Sequence, residues 1–464
     1  GEWTWGGHNH DDWTRRRQGQ HERLRAFHQD HQPRNQNNKD NGNNNKESNV
    51  MDEEEILKLI LQGDLNLMEI MPLQERLRNS GRNRNLEHNY ANMFRGKFCR
   101  LDWTKHEQDP SKTPMFRDVI AASQCGEGSN PHVEFDLFQA VQAVRAYDAT
   151  LEKERDKGLD HTANNPHVLD LGGVVFHESR CGSTLVANLL QSHDPTQNLV
   201  YSESGPPAAI LRLADATETD PLLSASNAAS ILQDVVMLMS RTKVSTKRRV
   251  FFKIQSIGTL SLPVFTAAFP TTPWIFVYRD PTEVLMSHLE QGGKHANCVQ
   301  TQTRGRSVPS RIVDIVTKYA AAGSSANNDP RQLSTEDYCA AHLGTLTELA
   351  VQELEPAQHL THGLAVNYRD LPDLLWDTIL PHVWKIPVDA DAHQRMQQAS
   401  TSYSKGRGPR AGVTFEGDSQ QKQALASTAV THAAQTFLQP SFERLQTLAE
   451  QAKQTWTAQK PAPP

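Results

Sequence analysis

The sequence predicts an α/β protein, a parallel β-sheet flanked by helices, preceded by a helical and irregular extension and a disordered tail. Three observations carry this. From about residue 166 onward, short apolar runs alternate with stretches of helical periodicity, the pattern of strands joined by crossover helices. One junction, Val174–Leu190, reads as strand, polar small-residue turn and helix without a gap. And 464 residues with 37% hydrophobic content are enough to bury a substantial core.

Residues 1–50 offer little to bury. Positions 35–45 are nearly all Asn, Gln, Lys and Asp, and His recurs from His8 to His31, so ordering entropy is not offset and disorder is expected. Residues 51–165 form the second region. Asp52-Glu53-Glu54-Glu55 opens a helix carrying Ile56, Leu59 and Ile60, since acidic residues suit the positive end of the helix dipole. Residues 85–117 mix aromatic, basic and proline residues and read as irregular cover. Val133–Leu151, with Phe135, Phe138, Val141, Val144 and Leu151, reads as an amphipathic helix. Asn164-Asn165-Pro166 then breaks the chain, and 166–464 is the third region.

Within it, Val168–Phe176 is strand one, and Leu185 begins a helix ending near His193-Asp194-Pro195. Leu199–Tyr201, Arg249–Ile254 and Trp274–Tyr278 are strands two to four, with helices at Ala225–Arg241 and Thr282–Glu290. Residues 291–333 are a loop-rich insertion of the kind that serves as a lid or substrate segment, with a helical pattern at Ile312–Ala321. Ser334–Asp337 resembles a capping box and starts a helix to about Leu354. Leu364–Tyr368 is a last strand, and helices at Ser419–Leu438 and Phe442–Trp456 are separated by Pro440. Ligands of such sheets bind beyond the carboxyl ends of the strands, so the loops after the strands are where chemistry is expected.

The turn after strand one is Glu178-Ser179-Arg180-Cys181-Gly182-Ser183-Thr184. A small-residue turn at a helix start points several backbone N–H groups at one place, which suits a phosphate. Arg180 adds a positive charge, and Ser183 and Thr184 add hydroxyls. No Gly-Lys-Ser/Thr step is present at Walker A spacing. After strand four comes Tyr278-Arg279-Asp280-Pro281, with Ser287 eight positions beyond Arg279. The strand end and the next helix can turn both toward one pocket.

These two motifs together, in this order and about a hundred residues apart, resemble those of the sulfotransferases that use 3'-phosphoadenosine 5'-phosphosulfate (PAPS). The resemblance runs from about Val168 to Asp418. It implies a P-loop-like sheet and PAPS as co-substrate. It further implies that Arg180, Cys181, Gly182, Ser183 and Thr184 hold the 5'-phosphosulfate and that Arg279 and Ser287 hold the 3'-phosphate. Ala365–Leu371 is similar to the family's strand-Tyr-x-Asp-Leu step, with Tyr368 near the adenine or in the core. Ser404–Gly408 is similar to its basic-Lys-Gly segment, so Lys405 or Arg407 would reach the 3'-phosphate. Lys253 matches the strand-three lysine and would stabilise charge on the bridging oxygen. Where many cytosolic members carry a histidine base, this chain has Gln255. Tyrosylprotein-type, Golgi-like branches place a glutamate after strand two, and Glu203 stands there, so Glu203 is the expected general base.

The reading is therefore an enzyme moving a sulfuryl group to an acceptor hydroxyl or amine on a carbohydrate, a peptide tyrosine or a small metabolite. A P-loop kinase and a non-catalytic nucleotide-binding protein remain alternatives, the second because of Gln255. His177 is a further residue within reach of substrate. The net charge of −6 gives no global basic field for nucleic acid. Cys99, Cys125, Cys181, Cys298 and Cys339 form no CxxC pair or zinc-finger spacing, so no metal is expected, and their odd number leaves at least one free thiol. No apolar stretch is long enough to span a membrane. The chain starts at Gly1, so a leader or membrane tether ahead of it is an open expectation. The compartment is accordingly cytoplasmic or, with a lost anchor, the Golgi or secretory lumen, and the missing Asn-x-Ser/Thr sequon leans against the lumen.

Overall fold

The structure, a computed structural model, describes residues 51–80, 86, 89–157, 165–215, 221–289, 298–299, 308–320, 332–355, 362–402, 404–406, 413–414 and 417–459. The tail at 1–50, Arg407 and most of the 291–333 insertion lie outside the described residues.

The core is the expected α/β arrangement, a parallel sheet flanked by helices. Its strands are β1 (Asp170–His177), β2 (Asn198–Ser202), β3 (Arg249–Lys253), β4 (Trp274–Tyr278) and β5 (Gly363–Asn367). All neighbours pair in parallel, in the order β5–β4–β1–β3–β2. Alternate residues on each strand enter opposite cores. Val174, Phe176, Tyr201, Phe252 and Phe276 pack on one face, and Val175, Val200, Phe251, Ile275, Val277 and Val366 on the other. That is why these strands read as unbroken apolar runs: a sheet covered on both sides has no solvent face to mark with polar residues.

Helix α1 (Ser183–His193) follows β1, and α2 (Gly205–Leu213) follows β2 with Pro206 and Pro207 in its first turn, where their missing N–H groups cost nothing. Next come α3 (Ala225–Met239), α4 (Pro281–Leu289) after β4, and α5 (Thr335–Leu354). Ser334 caps α5 as its sequence suggests, its hydroxyl accepting from the Asp337 N–H at 3.0 Å. The C-terminal part holds three helices rather than two: α6 (Ser419–Leu425), α7 (Thr428–Phe437) and α8 (Gln439–Gln459). Ser427 caps α7 and makes the extra break. Pro440 sits in the first turn of α8, where proline is tolerated, rather than between helices.

The extension contains more than helices and cover. Asn66–Pro72, Phe94–Cys99 and Val133–Asp136 form a three-stranded antiparallel sheet, so the helix expected from Val133 begins only at Leu137. Two disulfides are present. Cys99–Cys125 ties this sheet to the turn after the helix Phe116–Ala122, and Cys298–Cys339 ties residue 298 to α5.

Buried polar contacts fasten the extension to α3. The Tyr90 hydroxyl donates to Asp234 Oδ2 at 2.7 Å, and Arg145 pairs with the same carboxylate, which is 3% exposed. Nearby, buried Arg241 pairs with Asp148 at 2.6 Å and donates to the carbonyl of Ile60. Replacing one partner of a buried carboxylate exposes the cost of its desolvation. Tyr90→Phe is expected to lower stability by about 1–3 kcal/mol, read as a lower urea midpoint with an unchanged m-value. An unchanged midpoint would show that Arg145 alone satisfies Asp234.

Candidate functional site

Because the five strands are parallel, the residues that follow them gather on one edge of the sheet. The loop from β1 to α1 is residues 178–182. Ser179, Arg180 and Gly182 have φ values of 80°, 52° and 87°. Six described non-glycine residues have positive φ, and three of them, Ser179, Arg180 and Glu203, lie on this edge. Strain gathered in this way marks sites held for a purpose other than stability. Gly182 is required twice: its φ favours glycine, and a Cβ there would stand 2.2 Å from the Tyr368 ring. Cys181 turns its thiol inward to donate to the Val277 carbonyl at 3.0 Å. Burial, and next the Glu178 charge, push that thiol up to about 12, so Cys181 can offer the loop only its backbone N–H. Ser183 and Thr184, also buried, begin α1.

A second group surrounds Glu203 at the end of β2. Its carboxylate pairs with Lys253, whose side chain is buried at the end of β3. His177 Nε2, at the end of β1, is 3.8 Å from Glu203 Oε1. The Ser179 N–H donates to His177 Nδ1 at 3.0 Å, which leaves the proton of the neutral ring on Nε2. Burial, then the Lys253 charge, lowers His177 to about 3, so the ring is neutral near pH 7. For Glu203 burial works upward, and the opposing charge of Lys253, with smaller contributions from His177 and Lys405, brings it down to about 2. Lys405 thus acts in the neighbourhood of Glu203 and His177. Its segment is held where the Asn188 side chain donates to the Ser404 carbonyl at 2.9 Å. Gln255 donates to the backbone carbonyl of Glu203 at 3.2 Å and accepts from Arg212 at 3.4 Å. It supports the Glu203 turn rather than standing in a base position.

The third group is at the end of β4. Arg279 Nε donates to Glu283 Oε2 and its Nη2 to Asp418 Oδ1, both at 2.6 Å. Its guanidinium lies 4.6 Å from the centre of the Tyr368 ring. Ser287 donates to the Glu283 carbonyl one turn back in α4, at 2.9 Å. Glu178 is buried beneath, accepting from the Arg279 N–H at 2.6 Å, and burial raises its carboxyl well above the usual range. Arg180 is half-buried and its charge reaches His288, on the same helix as Ser287.

Arg180, Gly182, Ser183 and Thr184 therefore share an edge with Glu203 and Lys253 and with Arg279 and Ser287. Tyr368 links the first group to the third by touching both Gly182 and Arg279. The sequence reading did not single out Glu178, Glu283, Asp418 or Lys422. Two of them left a trace in spacing, since Glu283 lies four residues after Arg279 and Lys422 four after Asp418, and such pairs meet at a helix start. Among the described residues no group of three or more His, Cys, Asp or Glu is placed to hold a metal ion.

The Glu203–Lys253 pair has a pH signature. Glu203 is lowered from 4.5 to about 2, so its contribution to stability is complete above about pH 5 and is lost as pH falls toward 2. Lys253→Met removes the attraction but leaves the burial, so the contribution should vanish. Urea midpoints of wild type and variant, compared between about pH 5 and pH 3, should therefore converge as pH falls. Parallel curves would mean that Lys253 does not set the Glu203 charge.

No protein-family model matches the chain, and no curated protein matches it. Several solved structures are similar to it, among them two sulfotransferases. One is the sulfotransferase domain of the olefin synthase from Synechococcus PCC 7002, with 12% identity, covering 58% of this chain and 96% of that one at a TM-score of 0.28. The other is sulfotransferase STF1 from Mycobacterium tuberculosis H37Rv, with 14% identity, covering 65% and 84% at a TM-score of 0.30. Likeness at this level says nothing of activity.

Proposed function

We propose that the chain is a sulfotransferase that takes the sulfuryl group of PAPS to an acceptor hydroxyl or amine. The observation that supports this is that the loop at Gly182, Arg279 and the Glu203–Lys253 pair lie at strand ends on one sheet edge, with Tyr368 against both Gly182 and Arg279. A kinase reading needs a lysine in the loop, where this chain has Arg180 and Cys181.

In this proposal the loop amides, Arg180, Ser183 and Thr184 bind the 5' end, and Arg279 and Ser287 bind the 3'-phosphate. The residues fit: the loop has no Cβ at Gly182, and Arg279 already holds a carboxylate where an anion would lie. PAPS supplies the activated sulfuryl group. Glu203 is the base that takes the acceptor proton as the new bond to sulfur forms. Lys253, released from Glu203, neutralises the oxygen left by the broken bond, and Lys405 adds positive charge nearby. Freed of its partner, Glu203 rises from about 2 because burial still acts on it, which makes it a better base when the reaction needs one. The acceptor is a carbohydrate, a peptide tyrosine or a small metabolite. Two disulfides favour an oxidising compartment.

Adenosine 3',5'-bisphosphate is expected to bind more tightly than AMP, by about 30- to 1000-fold, the worth of a partly desolvated arginine–phosphate pair and a hydroxyl. Arg279→Gln should erase most of that preference and leave AMP binding nearly unchanged, as read by titration calorimetry. Equal affinity for both nucleotides in the wild-type protein would sink the proposal. Glu203→Gln keeps the size and polarity of the side chain but cannot take a proton. Turnover with labelled PAPS should fall by about 10²- to 10⁴-fold while nucleotide affinity is kept. Near-normal turnover would move the base elsewhere, with His177→Ala the next variant to assay.

A further inference from the structure

We propose that Asp418 is the chain's own occupant of the 3'-phosphate site, and that Lys422, which it covers, is a further ligand of that phosphate. The inference rests on the nucleotide reading above and adds to it a residue and a displacement.

Asp418 bridges two cations. Oδ1 accepts from Arg279 Nη2 at 2.6 Å and Oδ2 pairs with Lys422 Nζ at 2.5 Å. A carboxylate with one oxygen on an arginine fork and the other on a lysine occupies the place of a phosphate held the same way. The four charged side chains here differ in their freedom to leave. Arg279 and Glu283 are 7% exposed and Lys422 9%, whereas Asp418 is 41% exposed. Glu283 is also the better anchored carboxylate: Arg279 Nε, the Ser419 hydroxyl at 2.8 Å and the Gln423 amide at 3.0 Å all donate to it. Of the two carboxylates Asp418 is thus the one that can turn into water, and the phosphate that replaces it takes over its contacts to Arg279 and Lys422.

Charge makes the exchange necessary. Arg279 and Lys422 are balanced by Glu283 and Asp418, so the cluster as it stands is neutral. A dianion entering it would face two carboxylates in partly buried surroundings, where like charges repel strongly. With Asp418 turned out the cluster carries one net positive charge. Arg279 Nη2, which also donates to the Ser419 hydroxyl at 3.2 Å, and the Lys422 ammonium then both lack the carboxylate they shared and can take a phosphate oxygen in its place. Glu283 keeps Nε occupied, and the Tyr368 ring keeps the guanidinium plane in place. Nucleotides without the 3'-phosphate have nothing to offer this cluster and leave Asp418 where it is.

The test is calorimetric titration of adenosine 3',5'-bisphosphate and of AMP into wild type, Asp418→Asn and Lys422→Gln, with melting curves to confirm folding. Asp418→Asn should bind the bisphosphate about 10-fold more tightly and Lys422→Gln about 10-fold more weakly, the scale of one charge-assisted contact, with AMP unchanged in both. Weaker or equal bisphosphate binding by folded Asp418→Asn overturns the displacement, since Asp418 then only positions Arg279. Unchanged binding by Lys422→Gln overturns the assignment of Lys422. If Asp418→Asn does not fold, Asp418→Ser and Lys422→Gln decide the matter by the same measures. Should neither wild type nor Asp418→Asn distinguish the bisphosphate from AMP, the nucleotide reading fails and this inference with it. A wild-type preference that Arg279→Gln erases but Asp418→Asn does not alter would remove the displacement alone.

Discussion

Parallel pairing on both sides of β1 is the constraint from which the candidate site follows. Each core strand must return through a helix before the next begins, so every strand ends on the same edge. His177, Glu203, Lys253, Arg279 and Tyr368 each stand at or just beyond a strand end, on β1, β2, β3, β4 and β5 respectively. They span nearly two hundred residues of sequence, yet the sheet delivers them to one place without any of them choosing the other. The hydrophobic faces that enforce the pairing do so from both sides, which fixes the register and leaves the edge as the part free to vary.

On that edge the dominant problem is positive charge in poor contact with water. Lys253 is buried and Arg279 nearly so, and an unpaired cation at such depth would be costly. The chain answers with its own carboxylates, Glu203 for the lysine and Glu283 with Asp418 for the arginine. Glu178 is handled differently: burial favours its neutral acid form, and it accepts the Arg279 N–H. The cations on this edge are therefore held in internal ion pairs rather than lining an open positive cleft.

What could be read from sequence was what depends on neighbours in the chain. The β1 loop, the Arg279–Ser287 spacing, the Ser334 cap and the boundaries of Trp274–Tyr278 are local patterns, and the structure keeps the cap and those boundaries. What could not be read depends on distant partners. Asp418 meets Arg279 across 139 positions, and no periodicity announces that contact. Cys99 and Cys125 are 26 residues apart with no framework of other cysteines to suggest a pairing. The extension's three short strands were hidden for a different reason: a strand such as Phe94–Cys99, FRGKFC, takes half its pattern from the partner it pairs with. Lys405 was legible as a basic residue near the end of the core, but not as a neighbour of Glu203, because that depends on the Asn188 side chain holding the Ser404 carbonyl.

The Tyr368 ring has a mechanical consequence. It presses on Gly182 with one part and lies beneath the Arg279 guanidinium with another. Any group that settles on the loop and tilts the ring also alters the support under the arginine, and the reverse holds. Two ligand fragments, one for each end, would therefore not contribute independently: the first to arrive fixes the ring and spares the second that expense of ordering. Under the proposed function, that single side chain would couple the two ends of the site with no movement of the sheet that carries them.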